Sequence, residues 1–157
     1  MEVFRKSVWH DLGLDPVFVQ TNHSHSKKDV VRGLHFQWDP PLTKLIRVIA
    51  GAAYFVSVDV RKNSATFKHW HGVELSAENK KLLYVPFGFA SGFGVTSDTA
   101  DVEYHYTAEY NPAGEGSLRF DDPDIGVQWP IAAPIVSARD REAMTMASSR
   151  SEASFPL

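Results

Sequence analysis

The sequence contains no cysteine. A disulfide framework, a thiolate metal site and a cysteine nucleophile are therefore excluded. It also lacks a surplus of positive charge: 16 Lys+Arg stand against 19 Asp+Glu, for a net charge of −3. Nucleic-acid binders normally carry a basic excess, so no nucleic-acid partner is expected. No apolar run approaches the ~18–20 residues that a membrane span needs, so no membrane partner is expected either. The stretch Met1–Gly13 has no apolar segment of the kind that marks a secretion signal. The expected setting is cytoplasmic. What is present is ordinary for a globular protein, with 43% hydrophobic and 22% charged residues. A length of 157 residues fits one domain, 1–157, with a core that needs no covalent staples.

Hydrophobic spacing divides the chain into a helical start and a strand-rich remainder. Phe4, Val8 and Leu12 recur at four-residue intervals, and Gly13 stands ready as a stop, which predicts a helix over 2–12. The period then becomes two. Strands are predicted over 17–23, 30–37, 44–50, 54–61, 66–75, 82–85, 92–96 and 100–107. Turn residues separate several of them: Asp39-Pro40-Pro41, Lys62-Asn63-Ser64, Ala77-Glu78-Asn79 and Ser97-Asp98. Within 54–60 the alternation places Tyr54, Val56, Val58 and Val60 inward, with Ser57 and Asp59 outward. Short strands without long helices between them point to an all-β, antiparallel double-sheet jelly roll, with a short N-terminal helix and a short C-terminal helical segment. The serine-rich tail from Ser148 reads as loosely held.

Seven histidines raise the question of a metal. His23 and His25, like His69 and His71, are two apart and share a face of an extended strand. Such pairs can hold a metal, or they can be hydrogen-bonded surface residues; no third ligand stands out. Pro86–Ser91 (PFGFAS) resembles the second motif of the cupin superfamily, in which a histidine that often binds metal occupies the position of Ser91. Serine is a poor ligand for zinc or iron. The reading is a cupin-like fold with no metal and no cofactor.

A set of segments in order resembles the dTDP-4-dehydrorhamnose 3,5-epimerase family. They are Phe18–Ser26 (FVQTNHSHS), Val31–Gln37 (VRGLHFQ), Lys44–Gly51 (KLIRVIAG), Ser57–Arg61 (SVDVR), Val85–Phe93 (VPFGFASGF), Tyr110–Glu115 (YNPAGE), Asp121–Ile125 (DDPDI), Trp129-Pro130 and Val136–Asp140 (VSARD). The resemblance implies proton removal from a carbon beside the C4 ketone of a dTDP-linked 4-keto-6-deoxysugar. It also implies a homodimer. That chemistry needs a base, a positive partner for the enolate oxygen and an acid on the opposite face. The substrate's own carbonyl is the electron sink.

By resemblance, His35 is the base, Asp140 orients and charges it, and Tyr104 is the opposite-face acid. Lys44 and Arg32 match the cations near the C4 oxygen and the sugar–phosphate end. Gln20, Asn22, Tyr110 and Glu115 match the nucleotide-binding residues, with Tyr110 stacked on thymine. Glu2 matches a glutamate of the N-terminal region. Arg32 and His35 are three apart, so a regular strand would turn them to opposite faces. A bulge at Gly33 is expected to bring them together.

Two departures temper the resemblance. The family's Asp-x-Arg-Gly-x-Phe segment, which reaches a neighbouring subunit's nucleotide, does not occur here, and weaker nucleotide affinity is expected. Ser91 stands where the family has histidine near the sugar, and slower turnover or epimerisation at a single carbon is expected. Two alternatives stay open: a sugar-nucleotide-binding relative with little or no activity, and a metal-dependent cupin enzyme built on the histidine pairs.

Overall fold

The computed structural model describes residues 1–149. Of the tail read as loosely held, 150–157 lie outside the described residues. The elements are α1 (Lys6–Asp11), β1 (Gln20–Lys27), β2 (Val30–Gln37), β3 (Lys44–Asp59), β4 (Trp70–Ser76), β5 (Leu83–Val85), β6 (Phe89–Tyr106), β7 (Glu115–Ser117), β8 (Ile135–Val136), α2 (Ala138–Arg141) and α3 (Met146–Ser149). All strand pairs are antiparallel except β2–β8.

Two long strands organise the whole. β3 and β6 pair from Lys44↔Tyr106 to Asp59↔Phe89, with register shifts between Val48 and Ala50 and between Gly51 and Ala53. The shifts bend both strands and divide them between two layers. In the first layer, residues 44–51 of β3 and 99–106 of β6 are flanked by β5 and β1. In the second, residues 53–59 and 89–95 are flanked by β4 and β2, and β2 carries β7 and β8. Gly51 lies at the bend with φ +73, and a Cβ there would lie 1.9 Å from Thr99 O. Only glycine fits that position. The expected double-sheet jelly roll is thus present, with its two layers continuous through two shared strands.

The core has two parts. Ile46, Val48, Phe55, Leu75, Phe93 and Val102 pack between the layers. Leu34, Val56, Val58, Leu118, Ile125 and Met146 pack on the back of the second layer. Phe55 and Val56 are neighbours in sequence and serve opposite cores, as strand alternation demands. Each fully buried side chain of this size contributes about 1.5–3 kcal/mol.

Val56, Val58 and Val60 are buried as expected, but Ser57 and Asp59, expected outward, face the space between the layers. Tyr54, Val56, Val58 and Val60 face the back core, while Phe55, Ser57 and Asp59 are on the inter-layer side. Asp59 is fully buried. Burial pushes its carboxyl up, but Arg61, Ser64 and Thr66 donate to it and hold it far below the usual range. Segment 118–146 covers the Val56–Val58–Val60 face, and the first layer covers the other, so both faces of this stretch are enclosed.

Other boundaries moved for local reasons. Helix α1 is shorter than 2–12, and Gly13 follows it with φ +77. Strands 44–50 and 54–61 are one strand, as are 92–96 and 100–107. Ser97-Asp98 therefore forms no inter-strand turn; Ser97 Oγ accepts from Ala52 N at 2.7 Å inside the bend. Residues 66–69 form turns because Thr66 is drawn to Asp59. The strand expected over 17–23 runs instead from Gln20 to Lys27.

Candidate active site

β2 carries the central histidine. Its register on β6 shifts between Arg32 and His35, as the three-residue spacing required. Gly33 has φ +117, and a Cβ there would lie 2.5 Å from Gly92 Cα. A glycine is needed both for the conformation and for the approach of β6. As a result Arg32 and His35 line one cavity of about 470 Å³ between the layers. Asn22, Ser24, Lys44, Ile46, Tyr104 and Tyr106 line it from the first layer, and Phe55, Ser91 and Phe93 from the second.

His35 Nε2 is 2.6 Å from Asp140 Oδ1. Asp140 is buried in the short helix α2, which Ser137 caps by accepting from the Asp140 N–H at 3.1 Å. A parallel pairing of β8 with β2 brings this helix against the histidine from 105 residues away. Burial pushes the Asp140 carboxyl up, but the hydrogen bonds and charge of His35, with Ser137 and the Gly33 N–H, outweigh it and hold the group below its ordinary value. A carboxylate that accepts from Nε2–H fixes the tautomer and leaves Nδ1 as the proton acceptor. Such an arrangement can serve as a base with its orienting acid.

Across the cavity, burial pushes the Tyr104 phenol well above its ordinary range, while Ser24 and Arg32 pull weakly the other way. Tyr106, also buried, is pushed up to about 12, with Glu115 adding to the rise. Both rings stay protonated at neutral pH. Lys44 is buried, and desolvation brings its ammonium down to about 8 against a smaller opposing pull from Glu115. Its Nζ donates to the His35 main-chain oxygen at 3.0 Å and to Ser91 Oγ at 2.9 Å. The site thus holds a carboxylate-backed imidazole, a protonated phenol on the facing layer and a cation that reaches from one layer to the other.

A dTDP-4-dehydrorhamnose 3,5-epimerase family model matches residues 1–148. The chain belongs to this family. It is 45% identical over 144 residues to the dTDP-4-dehydrorhamnose 3,5-epimerase of Methanothermobacter thermautotrophicus, covering 90% of this chain and 78% of that one. It is 46% identical over 145 residues to the Salmonella typhimurium enzyme of the same name, covering 90% and 79%. Among solved structures, a dTDP-6-deoxy-D-glucose-3,5-epimerase from Legionella pneumophila in complex with dTDP-4-keto-L-rhamnose superposes with a TM-score of 0.90 at 40% identity, covering 93% of this chain and 79% of that one. A 3'-monoepimerase from Streptomyces bikiniensis in complex with dTDP-quinovose superposes with a TM-score of 0.89 at 34% identity, covering 96% and 77%.

In this epimerase-family chain the other expected residues form a second group beside the cavity. Gln20 Nε2 donates to Asn22 Oδ1 at 3.0 Å, and Gln20 Oε1 accepts from Tyr110 N at 2.9 Å. The Tyr110 hydroxyl donates to Glu115 at 3.2 Å, and the residue is 47% exposed. Glu2 does not join them; it pairs with Arg5 on the surface. His23 and His25 both bond Asp101, and His69 lies in the turn before β4. Among the described residues, no group of three or more His, Asp or Glu could hold a metal ion.

Sequence reasoning missed three participants. Arg139, next to Asp140, pairs with Glu115 and faces Tyr110. Tyr106 lines the cavity, and burial and Asn22 act on its phenol. Gln37, buried at the end of the VRGLHFQ segment, donates to Pro40 O and Glu109 O and accepts from Asn111 N, which pins the loop bearing Tyr110. A buried amide closing a β-strand motif was the available signal for Gln37. Arg139 carried none beyond its place in VSARD.

Proposed function

We propose that this protein is a cofactor-independent epimerase of a dTDP-linked 4-keto-6-deoxyhexose, acting at C3, C5 or both. The carrying observation is the His35–Asp140 pair, 2.6 Å apart, in one cavity with Tyr104 and Lys44. His35 Nδ1 takes the proton from the carbon beside the ketone. The C–H electron pair moves into the C–C bond, and the carbonyl electrons move onto oxygen, giving an enolate that Lys44 and Arg32 stabilise. The Tyr104 phenol then gives its proton to the opposite face of that carbon as the carbonyl re-forms. Solvent returns a proton to Tyr104 and removes one from His35. The nucleotide lies on Gln20, Asn22, Tyr110 and Glu115, with thymine against the Tyr110 ring. The ligands named with the Legionella and Streptomyces structures support that substrate class.

A homodimer completes the proposal. Val8, Leu12, Val17 and Val19 are exposed by 46%, 70%, 65% and 55% in the single chain, an apolar stretch that a second copy would cover. Sedimentation should report twice the 17.5 kDa of the chain. The decisive test of the activity is NMR of the ketosugar in heavy water. Deuterium should enter at C3 or C5 with the unmodified protein, and His35→Ala should slow entry by about 10³-fold or more. Equal labelling with and without protein would overturn the reading.

A further inference from the structure

Ser91 sits in the middle of a row across the second layer, with Ser57 of β3 opposite it on one side and His35 of β2 on the other. It is 7% exposed and lines the cavity. Its hydroxyl accepts from Lys44 Nζ at 2.9 Å, and the His35 main-chain oxygen accepts a second N–H from the same ammonium at 3.0 Å. An ammonium has three N–H groups. Two are anchored to oxygens of the second layer, and one remains for the cavity. Among the described residues the hydroxyl of Ser57 has no hydrogen-bond partner, so it does not compete with Lys44 for the Ser91 hydroxyl.

We propose that Ser91 is a positioning residue that holds the Lys44 ammonium against the backbone of the base, so that its third N–H meets the oxygen of the enolate. This deepens the epimerase reading and rests on it. Both anchors of Lys44 are neutral, so the hydroxyl adds no second cation to the site. A cationic side chain at position 91 would compete with Lys44 for its proton; serine leaves the enolate with one titrating cation. The charged and titratable groups around Lys44 are His35 and Arg32 of β2, with Asp140 of α2 behind His35, Tyr104 and Tyr106 of β6, and Glu115 of β7. Of these, Glu115 supplies the negative charge that favours the ammonium. The Ser91 oxygen favours it further by accepting a charge-assisted hydrogen bond.

The experiment compares Ser91→Ala and Ser91→Thr. Enolate charge exists only along the reaction path, so Ser91→Ala should lower kcat about tenfold and leave KM nearly unchanged. The alkaline limb of the kcat profile should move down by about one pH unit, because the ammonium loses a partner that favours its charged form. Ser91→Thr keeps a hydroxyl and should restore both. A readout free of turnover is the 13Cε titration of Lys44 by NMR, which should fall in Ser91→Ala and recover in Ser91→Thr. If Lys44 titrates identically in all three proteins, the positioning role is overturned, whatever the rates. If the unmodified protein brings no deuterium into the ketosugar, the epimerase reading itself fails, and that result is separate from the NMR titration.

Discussion

Lys44 is where stability and chemistry oppose each other most plainly. Its ammonium is buried and sits at about 8, against the 10.5 of a free lysine. Below pH 8 both the folded and unfolded chains hold the proton, and folding bears the full cost of burying the charge. As pH rises from about 8 toward 10.5 the folded protein sheds that proton first, so the cost is relieved and stability rises. Lys44→Met should therefore be more stable at pH 7, by up to about 3 kcal/mol, and should lack the rise in stability above pH 8. Urea denaturation at pH 7 and 9.5 checks both. The same variant should lose activity by about 10²-fold or more, because the proposed enolate keeps only the more distant charge of Arg32. Asp140→Asn should fold, since the amide retains the shape, and yet lose about 10²–10⁴ in kcat by allowing the wrong histidine tautomer. A pH profile of the isotope exchange distinguishes that loss from simple unfolding.

At the scale of elements, the kink in β2 places His35, the proposed base, in the cavity. Gly33→Ala would put a methyl group 2.5 Å from Gly92 Cα at a φ of +117. The strand would have to straighten, turning Arg32 away from His35. The expected cost is about 2–4 kcal/mol, measured by urea denaturation, together with loss of exchange activity. This kink was legible beforehand, because a three-residue spacing between two inward residues of a strand demands one. So were β2 and the turns at Asp39-Pro40 and Ala77–Asn79, where period-two runs end on turn chemistry. The continuity of β3 and of β6 was not legible. Gly51 and Ser97-Asp98 carry turn chemistry, and only the close approach of the two bends shows that the chain runs on. β7 and β8, three and two residues long, are too short to display a period at all. His35, Tyr104, Asp140 and the nucleotide group were found through resemblance to a family. No periodicity could have joined residues 35 and 140, and Arg139 escaped for the same reason.

At the scale of the molecule, the back core explains how the segment 118–146 carries Asp140 to His35. Leu118, Ile125 and Met146 are buried against Leu34, Val56 and Val58, and the segment they anchor delivers α2 to the cavity. Asp122 reinforces it, accepting from Met146 N at 2.6 Å and from Asp124 N at 2.8 Å. Leu118→Ala should cost about 2–5 kcal/mol. It should also reduce activity, measured as deuterium exchange into the ketosugar, since it loosens the segment that holds Asp140 against His35.

The bent strands have a further consequence for how substrate comes and goes. A cleft between two bodies opens at a hinge, but here each wall is the continuation of the other, and no backbone torsion can part them without tearing the ladder between β3 and β6. Exchange of ligand must then occur by diffusion through a standing aperture, with adjustment confined to the rim. Amide hydrogens along 44–59 and 89–106 should exchange at the same rates with and without saturating dTDP, while those of 109–115 should slow with dTDP if Tyr110 holds the nucleotide as proposed.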